Sequence, residues 1–251
     1  MNFDRFAAIA DIHGNCDALA AVLADIDALG VKTIVNLGDH LSGPLAARET
    51  IDTLLACEMT SIRGNHDRWL VDKPVDSLGA SDLAARSQLD DGHIDWLKAL
   101  PATMTLADGD IFLCHGTPAS DTTYWMEAVS PDGAVGLAKQ AAIEAEAVGL
   151  RSSLILCGHT HVARTMRLRD GRQLVNPGSV GCPGFTDDQP VFHVVQSGNP
   201  NASYALLEKG SLGWRVAIRN IPYDSSRMAR LAREAGRPDW ASVVSSGWIA
   251  P

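Results

Sequence analysis

The chain of 251 residues is 46% hydrophobic, which is enough for one large core, and α/β or all-β domains of this size are often single. Its formal net charge of −9 speaks against a sequence-independent nucleic-acid binder, because such proteins usually present a basic surface. No stretch approaches the roughly 18 apolar residues that span a bilayer, and the first apolar run is too short for a secretory signal. The odd count of five cysteines, without a C-x-x-C pair, fits poorly with a disulfide framework. We therefore expect a cytoplasmic protein without membrane association.

The first half of the chain alternates short apolar runs with helical patterns. FAAIA (6–10), KTIVNL (32–37) and MTSI (59–62) are predicted strands, each ending in a polar loop. Apolar residues at helical spacing predict a helix over 16–30, with Gly30 as its C-cap, and a second helix through Ile51 and Leu54. Strand, loop and helix in repetition predict parallel strands with crossover helices.

The second half predicts hairpins and a cap. Segments 103–116 and 163–178 each place two short strands around an Asp-Gly turn signal, and 203–220 reads as a final strand pair. The segment 133–149, GAVGLAKQAAIEAEAVG, looks helical, so we expect a small helical cap over about 117–150. A tail over about 225–251 is predicted as a short helix followed by irregular chain. We expect residues 1–251 to form a single domain.

Polar residues of similar chemistry follow five of the predicted strands. In parallel α/β sheets, functional groups gather outside the carboxyl ends of the strands, where neighbouring loops meet. One such loop would mean little, but five in the same phase of the strand pattern predict a common site. The five strand ends carry Asp11 and His13; Asp39; Asn65, His66 and Asp67; His115; and His159 and His161.

The chemistry of these side chains indicates a metal site. Carboxylates, a carboxamide and histidines form a mixed oxygen and nitrogen set, which suits Mn²⁺, Fe or Zn²⁺ better than Ca²⁺ or a cysteine-rich structural zinc. The set is too large for one ion and fits two ions that share a bridging carboxylate. Two such ions can clamp the attacking and leaving oxygens of a phosphoryl displacement.

The order of these motifs resembles the calcineurin-like metallophosphoesterase superfamily. The signature D-x-H, G-D, G-N-H-[DE], H-G and G-H-x-H is present between residues 11 and 161, and NPGSVG (176–181) is similar to a loop of its small bacterial phosphodiesterase branch. The resemblance covers about residues 5–210. It implies a four-layer α/β-β/α sandwich of two mixed β-sheets flanked by helices.

The resemblance also implies a role for each site residue. Asp11, His13 and His161 would hold one metal ion; Asn65, His115 and His159 would hold the second; Asp39 would bridge the two. His66 would stand beside the leaving group as a general acid or a donor to phosphate, with Asp67 orienting its imidazole. The implied cofactors are two divalent ions (Mn, Fe or Zn), of which Mn²⁺ is expected to support activity in vitro.

The implied function is hydrolysis of phosphate esters, preferably phosphodiesters, by a metal-bound hydroxide. The partner would be a small phosphate ester or a nucleotide. A phosphomonoesterase or protein phosphatase, a dinucleoside polyphosphate hydrolase, and a non-catalytic metal-binding scaffold remain alternatives. After NPGSVG, the branch commonly has a proline and then a basic residue, whereas here Pro183 is followed by Gly184-Phe185-Thr186 and the acidic pair Asp187-Asp188, which does not suit a phosphate clamp. The sequence leaves the oligomeric state open.

Overall fold

Two five-stranded mixed sheets face each other in the computed structural model, which describes residues 3–249. The first sheet contains the parallel strands β1 (Arg5–Ile9), β2 (Ile34–Asn36) and β3 (Thr60–Ser61), extended by the antiparallel pair β13 (Ala202–Gly210) and β14 (Gly213–Ile221). Its strand order is β14-β13-β1-β2-β3. The predicted parallel core of the first half is therefore present.

The second sheet has a parallel centre and antiparallel edges. Strands β5 (Ile111–Leu113), β8 (Leu154–Leu156) and β10 (Gln173–Asn176) are parallel, and β4 (Met104–Leu106) and β9 (Arg164–Arg167) close the two edges. The hairpins β4–β5, β9–β10 and β13–β14 are the three that the sequence predicts. A 3-10 turn (Ala107–Gly109) connects the two strands of the β4–β5 hairpin.

Alternation along β1 explains why both faces of the first sheet are buried. Phe6 and Ala8 point to the second sheet, where they meet Leu113 and Leu156 in a shared core. Ala7 and Ile9 point the other way, into a core with the helices on the outer face. Those helices are α1 (Cys16–Ala28), α2 (Ala47–Ala56), α3 (Asn65–Asp72), α4 (Ala80–Arg86) and α5 (Asp91–Ala99), with a 3-10 turn at Val75–Ser77.

The outer face of the second sheet is covered by the 117–150 segment and completes the four layers. Ile155 and Leu174 of the sheet pack against Trp125 and against Ile143 of helix α6 (Gln140–Glu146). The expected four-layer arrangement is thus confirmed. The expected helix of the cap is present but shorter than the predicted 133–149 run: it begins only at Gln140, and the segment also contains the hairpin β6 (Glu127–Val129) and β7 (Val135–Leu137). Pro131-Asp132-Gly133 forms the turn, and this turn signal outweighs the short helical pattern behind it.

The C-terminal segment is more ordered than its sequence indicates. Instead of one short helix and irregular chain, it forms α7 (Ser226–Glu234) and α8 (Pro238–Ser246). Pro238 occupies the first turn, where its missing N–H costs nothing, and Gly247 ends the helix in the left-handed conformation at φ 76°. Met228, Trp240 and Val244 bury their side chains against Cys16 and Cys182. One further hairpin, β11 (Gly184–Asp187) with β12 (His193–Gln196), lies between β10 and β13 in the sequence.

Across residues 3–249, every helix is too short or too polar to cross a bilayer.

Candidate metal centre

Seven candidate ligands come together at the carboxyl ends of β1, β2, β3, β5 and β8. Six of them form two groups of three, and the ligand atoms within each group all lie within 4.8 Å of one another. The first group is Asp11, His13 and His161; the second is Asp39, His115 and His159. All but His159 are buried. These groups correspond to the two sets that the resemblance implies.

Asp39 lies between the two groups. Its Oδ2 is 3.2 Å from Nε2 of His115 in its own group and 3.9 Å from Nε2 of His13 in the other. Within the first group, Nε2 of His161 is 3.1 Å from Nε2 of His13 and 3.5 Å from Oδ1 of Asp11. Asp39 is therefore the carboxylate that two neighbouring ions could share.

Asn65 adds a carboxamide to the second group. One terminal atom of its side chain is 3.1 Å from Nε2 of His115 and 3.0 Å from Nδ1 of His159. Because Asn65 begins helix α3, its side chain is directed by the same turn that closes the strand-to-helix loop. The structure therefore brings together all seven residues that the sequence singled out.

Three of the imidazoles are held by backbone carbonyls. Nδ1 of His13 bonds to the carbonyl oxygen of Ser42 at 2.8 Å, that of His115 to Leu37 at 2.8 Å and that of His161 to Cys182 at 2.6 Å. A carbonyl can only accept, so Nδ1 carries the proton and Nε2 presents its lone pair to the site. In the neutral rings, this tautomer leaves Nε2 free to bind a metal ion.

Backbone strain is concentrated at the same residues. Within residues 3–249, seven non-glycine residues have φ between 51° and 69°, and five of them are candidate ligands. Such a conformation costs an L-residue about 1–2 kcal/mol, and it persists where surrounding contacts fix it. The five are Asp11, His13, Asp39, His159 and His161.

The buried carboxylates of Asp11 and Asp39 favour positive charge in the site. Burial lowers the pKa of the His161 imidazole, but Asp11 outweighs it and raises that pKa to about 10. Burial likewise opposes the charge on His115, and Asp39 raises its pKa to about 9. His13 has no such dominant carboxylate, so burial lowers its pKa to about 4. Asp11 and Asp39 therefore attract positive charge into a dry site, as divalent ions would supply it.

The loop NPGSVG holds the first group from behind. Ser179 Oγ donates to the carbonyl oxygen of Asp11 at 2.7 Å, and the amide of Gly181 donates to the same oxygen at 3.1 Å. A Cβ on Gly181 would lie 1.8 Å from the carbonyl oxygen of Ile12, so only glycine allows this approach. The loop therefore positions Asp11, and the next residue, Cys182, bonds His161.

The partner of His66 differs from the expectation. Nδ1 of His66 bonds to Oδ1 of Asp82 at 2.7 Å, and the Asp82 carboxylate is 4% exposed. The prediction that Asp67 orients His66 was wrong. Asp67 instead accepts from the amide of Asp39 at 2.8 Å and from Nδ1 of His40 at 2.7 Å, because the capping turn of α3 directs it into the loop. Asp67 thus fixes the backbone of the central carboxylate.

A cavity of about 730 Å³ opens over the site. Its floor contains His13, Asp39, Asn65, His66, His159 and His161. Tyr124 and Glu127 of the 117–150 segment form one wall, Phe185 of β11 another, and Trp240 of α8 a third. The volume lies within the range typical of small-molecule sites.

Each of four floor imidazoles contacts an aromatic ring from the cavity wall. The ring centroids are 5.2 Å apart for His159 and Tyr124 and 4.7 Å for His161 and Phe185. They are 4.7 Å apart for His66 and Trp69 and 6.0 Å for His13 and Trp240. These apolar rings exclude water from the mouth of the site and strengthen its electrostatic interactions.

Sequence reasoning missed several of these residues. Asp82 lies in an ordinary helical stretch, and no local motif distinguishes it from other acidic helix residues. Trp240 belongs to the segment expected to be irregular, although Pro238 and Gly247 were available as helix signals. Glu127 and Phe185 reach the cavity only through the two hairpins β6–β7 and β11–β12.

Comparison with known proteins agrees with the fold. A family model described as the calcineurin-like phosphoesterase superfamily domain matches residues 5–199. An uncharacterised protein of Methanocaldococcus jannaschii is 24% identical, with 93% of this chain and 94% of that protein covered. The crystal structure of a metallophosphoesterase from Sphaerobacter thermophilus has a TM-score of 0.74 and 26% identity, with 98% of this chain and 100% of that chain covered.

A second solved structure supports the assignment of the fold only. It is a hypothetical protein from Pyrococcus horikoshii, with a TM-score of 0.76, 20% identity, and coverage of 98% of this chain and 99% of that one. The two facing sheets and the strand-end site define a metallophosphoesterase fold. The chain belongs to the calcineurin-like phosphoesterase superfamily.

Proposed function

We propose that the protein hydrolyses phosphate esters, with a preference for phosphodiesters, and that it uses two divalent metal ions at the strand-end site. The observation that carries this is the pair of three-ligand groups at the floor of one cavity, with Asp39 of the second group also near His13 of the first. His66 stands beside them with a carboxylate partner of its own. Family membership supports the reaction class, and the preference for diesters rests on the sequence resemblance.

The side chains fit two ions of the borderline type. Asp11, His13 and His161 would hold one ion, and Asn65, His115 and His159 the other, with Asp39 shared. Nitrogen and oxygen donors without a thiolate suit Mn²⁺, Fe or Zn²⁺. When bound, such ions supply Lewis-acid polarisation of the phosphate and lower the pKa of water. The carbonyl-bonded imidazoles present their nitrogens without reorganisation.

His66 donates a proton to the oxygen of the departing alcohol. Its Nδ1 is occupied by Asp82, so Nε2 remains for the cavity, which His66 lines. A water oxygen forms the new bond to phosphorus and loses one proton to solvent, the ester P–O bond breaks, and Nε2–H gives its proton to the leaving oxygen. His66 then regains a proton from solvent. Asp82 stabilises the protonated ring that this step requires. Asp67 contributes indirectly, by fixing the Asp39 loop.

Two alternatives within the same chemistry are a phosphomonoesterase or protein phosphatase and a dinucleoside polyphosphate hydrolase. A metal-binding scaffold without activity is the alternative of another class, and it would need neither His66 nor Asp82. We further propose a single domain with residues 117–150 as a cap on the site, supported by the shared core of both sheets. A cytoplasmic location is supported by five free cysteines.

The test compares two chromogenic esters. Mn²⁺-reconstituted protein is assayed with bis-p-nitrophenyl phosphate and with p-nitrophenyl phosphate, beside Asp39→Asn and the exposed control Asp76→Asn. We expect a diester rate that Asp39→Asn abolishes and Asp76→Asn keeps. A faster monoester rate would favour the phosphatase alternative. No hydrolysis of either ester by metal-loaded protein would favour the scaffold.

A further inference from the structure

Glu127 carries an unsatisfied acceptor at the cavity wall. Its side chain is 1% exposed, and Oε1 accepts a hydrogen bond from Nε of Arg164 at 2.7 Å. Its Oε2 is buried without a partner among the described residues, and Glu127 lines the cavity. A buried carboxylate oxygen without a donor is costly, which makes it a strong recognition point for a ligand hydroxyl or amino group.

The wall around Glu127 is poor in free positive charge. Among the described residues that line the cavity, Arg237 is the one Lys or Arg side chain. Its guanidinium is already occupied by Asp239, at 2.7 Å from Nη2, and by Ser81 Oγ, at 3.0 Å from Nη1. Asp187 adds a further carboxylate to the lining. A chain of several phosphates would therefore meet carboxylates rather than unpaired cations beyond the metal floor.

Two aromatic rings line the same cavity as Glu127, one from its own wall and one from the wall that β11 forms. Tyr124 and Phe185 are 6.4 Å apart between ring centroids, and both line the cavity. The hydroxyl of Tyr124 is engaged with Nε2 of His193 at 2.9 Å, and Nδ1 of His193 bonds the carbonyl oxygen of Val191 at 2.8 Å. The phenol is therefore held in one direction, and the two rings offer apolar surface to a planar group.

We propose that Glu127, Tyr124 and Phe185 form a nucleoside subsite: it binds the organic part of a substrate with one phosphate, a planar base joined to a sugar, whose ring N–H or sugar hydroxyl donates to Glu127. The inference rests on the proposed function, whose substrate it narrows to nucleoside phosphodiesters. The single phosphate sits on the metal floor. Tyr124 and Phe185 contact the ring, and Glu127 Oε2 selects for donors. Dinucleoside polyphosphates are disfavoured by the carboxylates of the wall.

The first experiment compares two esters with the same leaving group. Thymidine 5′-(4-nitrophenyl phosphate) and bis-p-nitrophenyl phosphate both release nitrophenol, so their kcat/KM ratio reports the retained group. We expect a ratio above 10 in the native protein and a fall of at least tenfold in Glu127→Gln. Glu146→Gln, an exposed position on the same segment, is the matched control and keeps the native ratio. Phe185→Leu, which leaves the Arg164 ion pair intact, should raise KM for the thymidine ester selectively.

A binding measurement separates the subsite from the catalytic proposal. Calorimetry of the metal-loaded protein with thymidine 5′-monophosphate and with inorganic phosphate should show at least tenfold tighter binding of the nucleotide, lost in Glu127→Gln. That result without hydrolysis of any ester would support the subsite and contradict the proposed function. Hydrolysis of both esters with equal kcat/KM, unchanged by Glu127→Gln, would overturn the subsite alone. So would a higher kcat/KM for a dinucleoside tetraphosphate.

Discussion

The buried carboxylate of Asp82 pairs with the partly exposed imidazole of His66 through a hydrogen bond of 2.7 Å between Oδ1 and Nδ1. The two residues come from consecutive helices, α3 and α4, and the Asp82 carboxylate is 4% exposed. Its position away from the ligand groups lets the carboxylate orient the ring without entering the metal centre. His66 and Asp82 therefore provide a direct way to separate proton transfer from metal binding.

Replacing His66 by alanine should slow the reaction without emptying the site. Positioned general acids contribute about 10²- to 10⁴-fold to rate, so we expect a loss of kcat in that range with two ions retained. Steady-state kinetics and metal analysis on the same preparation measure both quantities. Loss of the metals in this variant would show that His66 is a ligand and that the assigned roles are wrong.

Asp82→Asn should lower kcat by about 10-fold or more, because a neutral amide neither orients nor stabilises the protonated ring as a carboxylate does. KM and metal content should stay near the native values. Asp76→Asn, an exposed substitution of the same type just before α4, is the control. If Asp82→Asn and Asp76→Asn have equal kcat, Asp82 has no part in the reaction.

Gly64→Ala should disturb the metal centre through one methyl group. A Cβ at this position would lie 2.1 Å from Oδ1 of Asp39 and 2.7 Å from its amide nitrogen, so the carboxylate has to move. We expect weaker metal binding, measured as a rise in the Mn²⁺ concentration for half-maximal activity. Gly136→Ala has no atom within 4 Å of its new Cβ and should behave as the native protein. Native metal affinity in Gly64→Ala would contradict the central position of Asp39.

The ion pair between Arg219 and Asp25 should contribute pH-dependent stability. Hydrogen bonds from Arg219 lower the pKa of Asp25 below its ordinary value of 3.8, and Tyr204 adds to the effect. A lowered folded-state pKa means that the stabilisation is complete above the unfolded-state value and is lost as pH falls through the folded-state value.

Arg219→Gln should therefore reduce the free energy of unfolding by about 1 kcal/mol at pH 7, allowing for the partial exposure of the pair. The difference from the native protein should shrink below pH 3.8, as urea unfolding at several pH values would measure. Arg215→Gln, a 76% exposed arginine on the same strand, is the control and should cost less. A deficit in Arg219→Gln that does not change with pH would contradict the assigned ion pair.

Much of the site was predictable because its ligands directly follow strands. The short period of a strand pattern lets the end of each strand be located from local sequence. Asp11, Asp39 and His115 each come within three residues of a buried strand end, so local sequence places them at one edge. The left-handed backbone of the ligands was not predictable, since it results from contacts between loops that are distant in sequence. The amide of Asp11, for example, bonds the carbonyl oxygen of Gly38 at 3.0 Å.

The residues around the site were less predictable than the ligands. Asp82 meets His66 through the packing of two helices, and Trp240 meets His13 across most of the chain length. Neither contact leaves a local pattern in the sequence. Glu127 belongs to a three-residue strand, too short for its alternation to be distinguished from a helical period. Long-range packing, rather than local propensity, determines which residues line the cavity beside the ligands.

The most direct test of the proposed dinuclear site is the number of ions that one chain binds. Elemental analysis after saturation with Mn²⁺ and removal of free ion should give about two ions per native chain and about one in Asp11→Asn, which alters the first ligand group only. Activity toward bis-p-nitrophenyl phosphate should reach its maximum at the second equivalent. A native stoichiometry of one or none, or full activity at one equivalent, would contradict the shared role of Asp39.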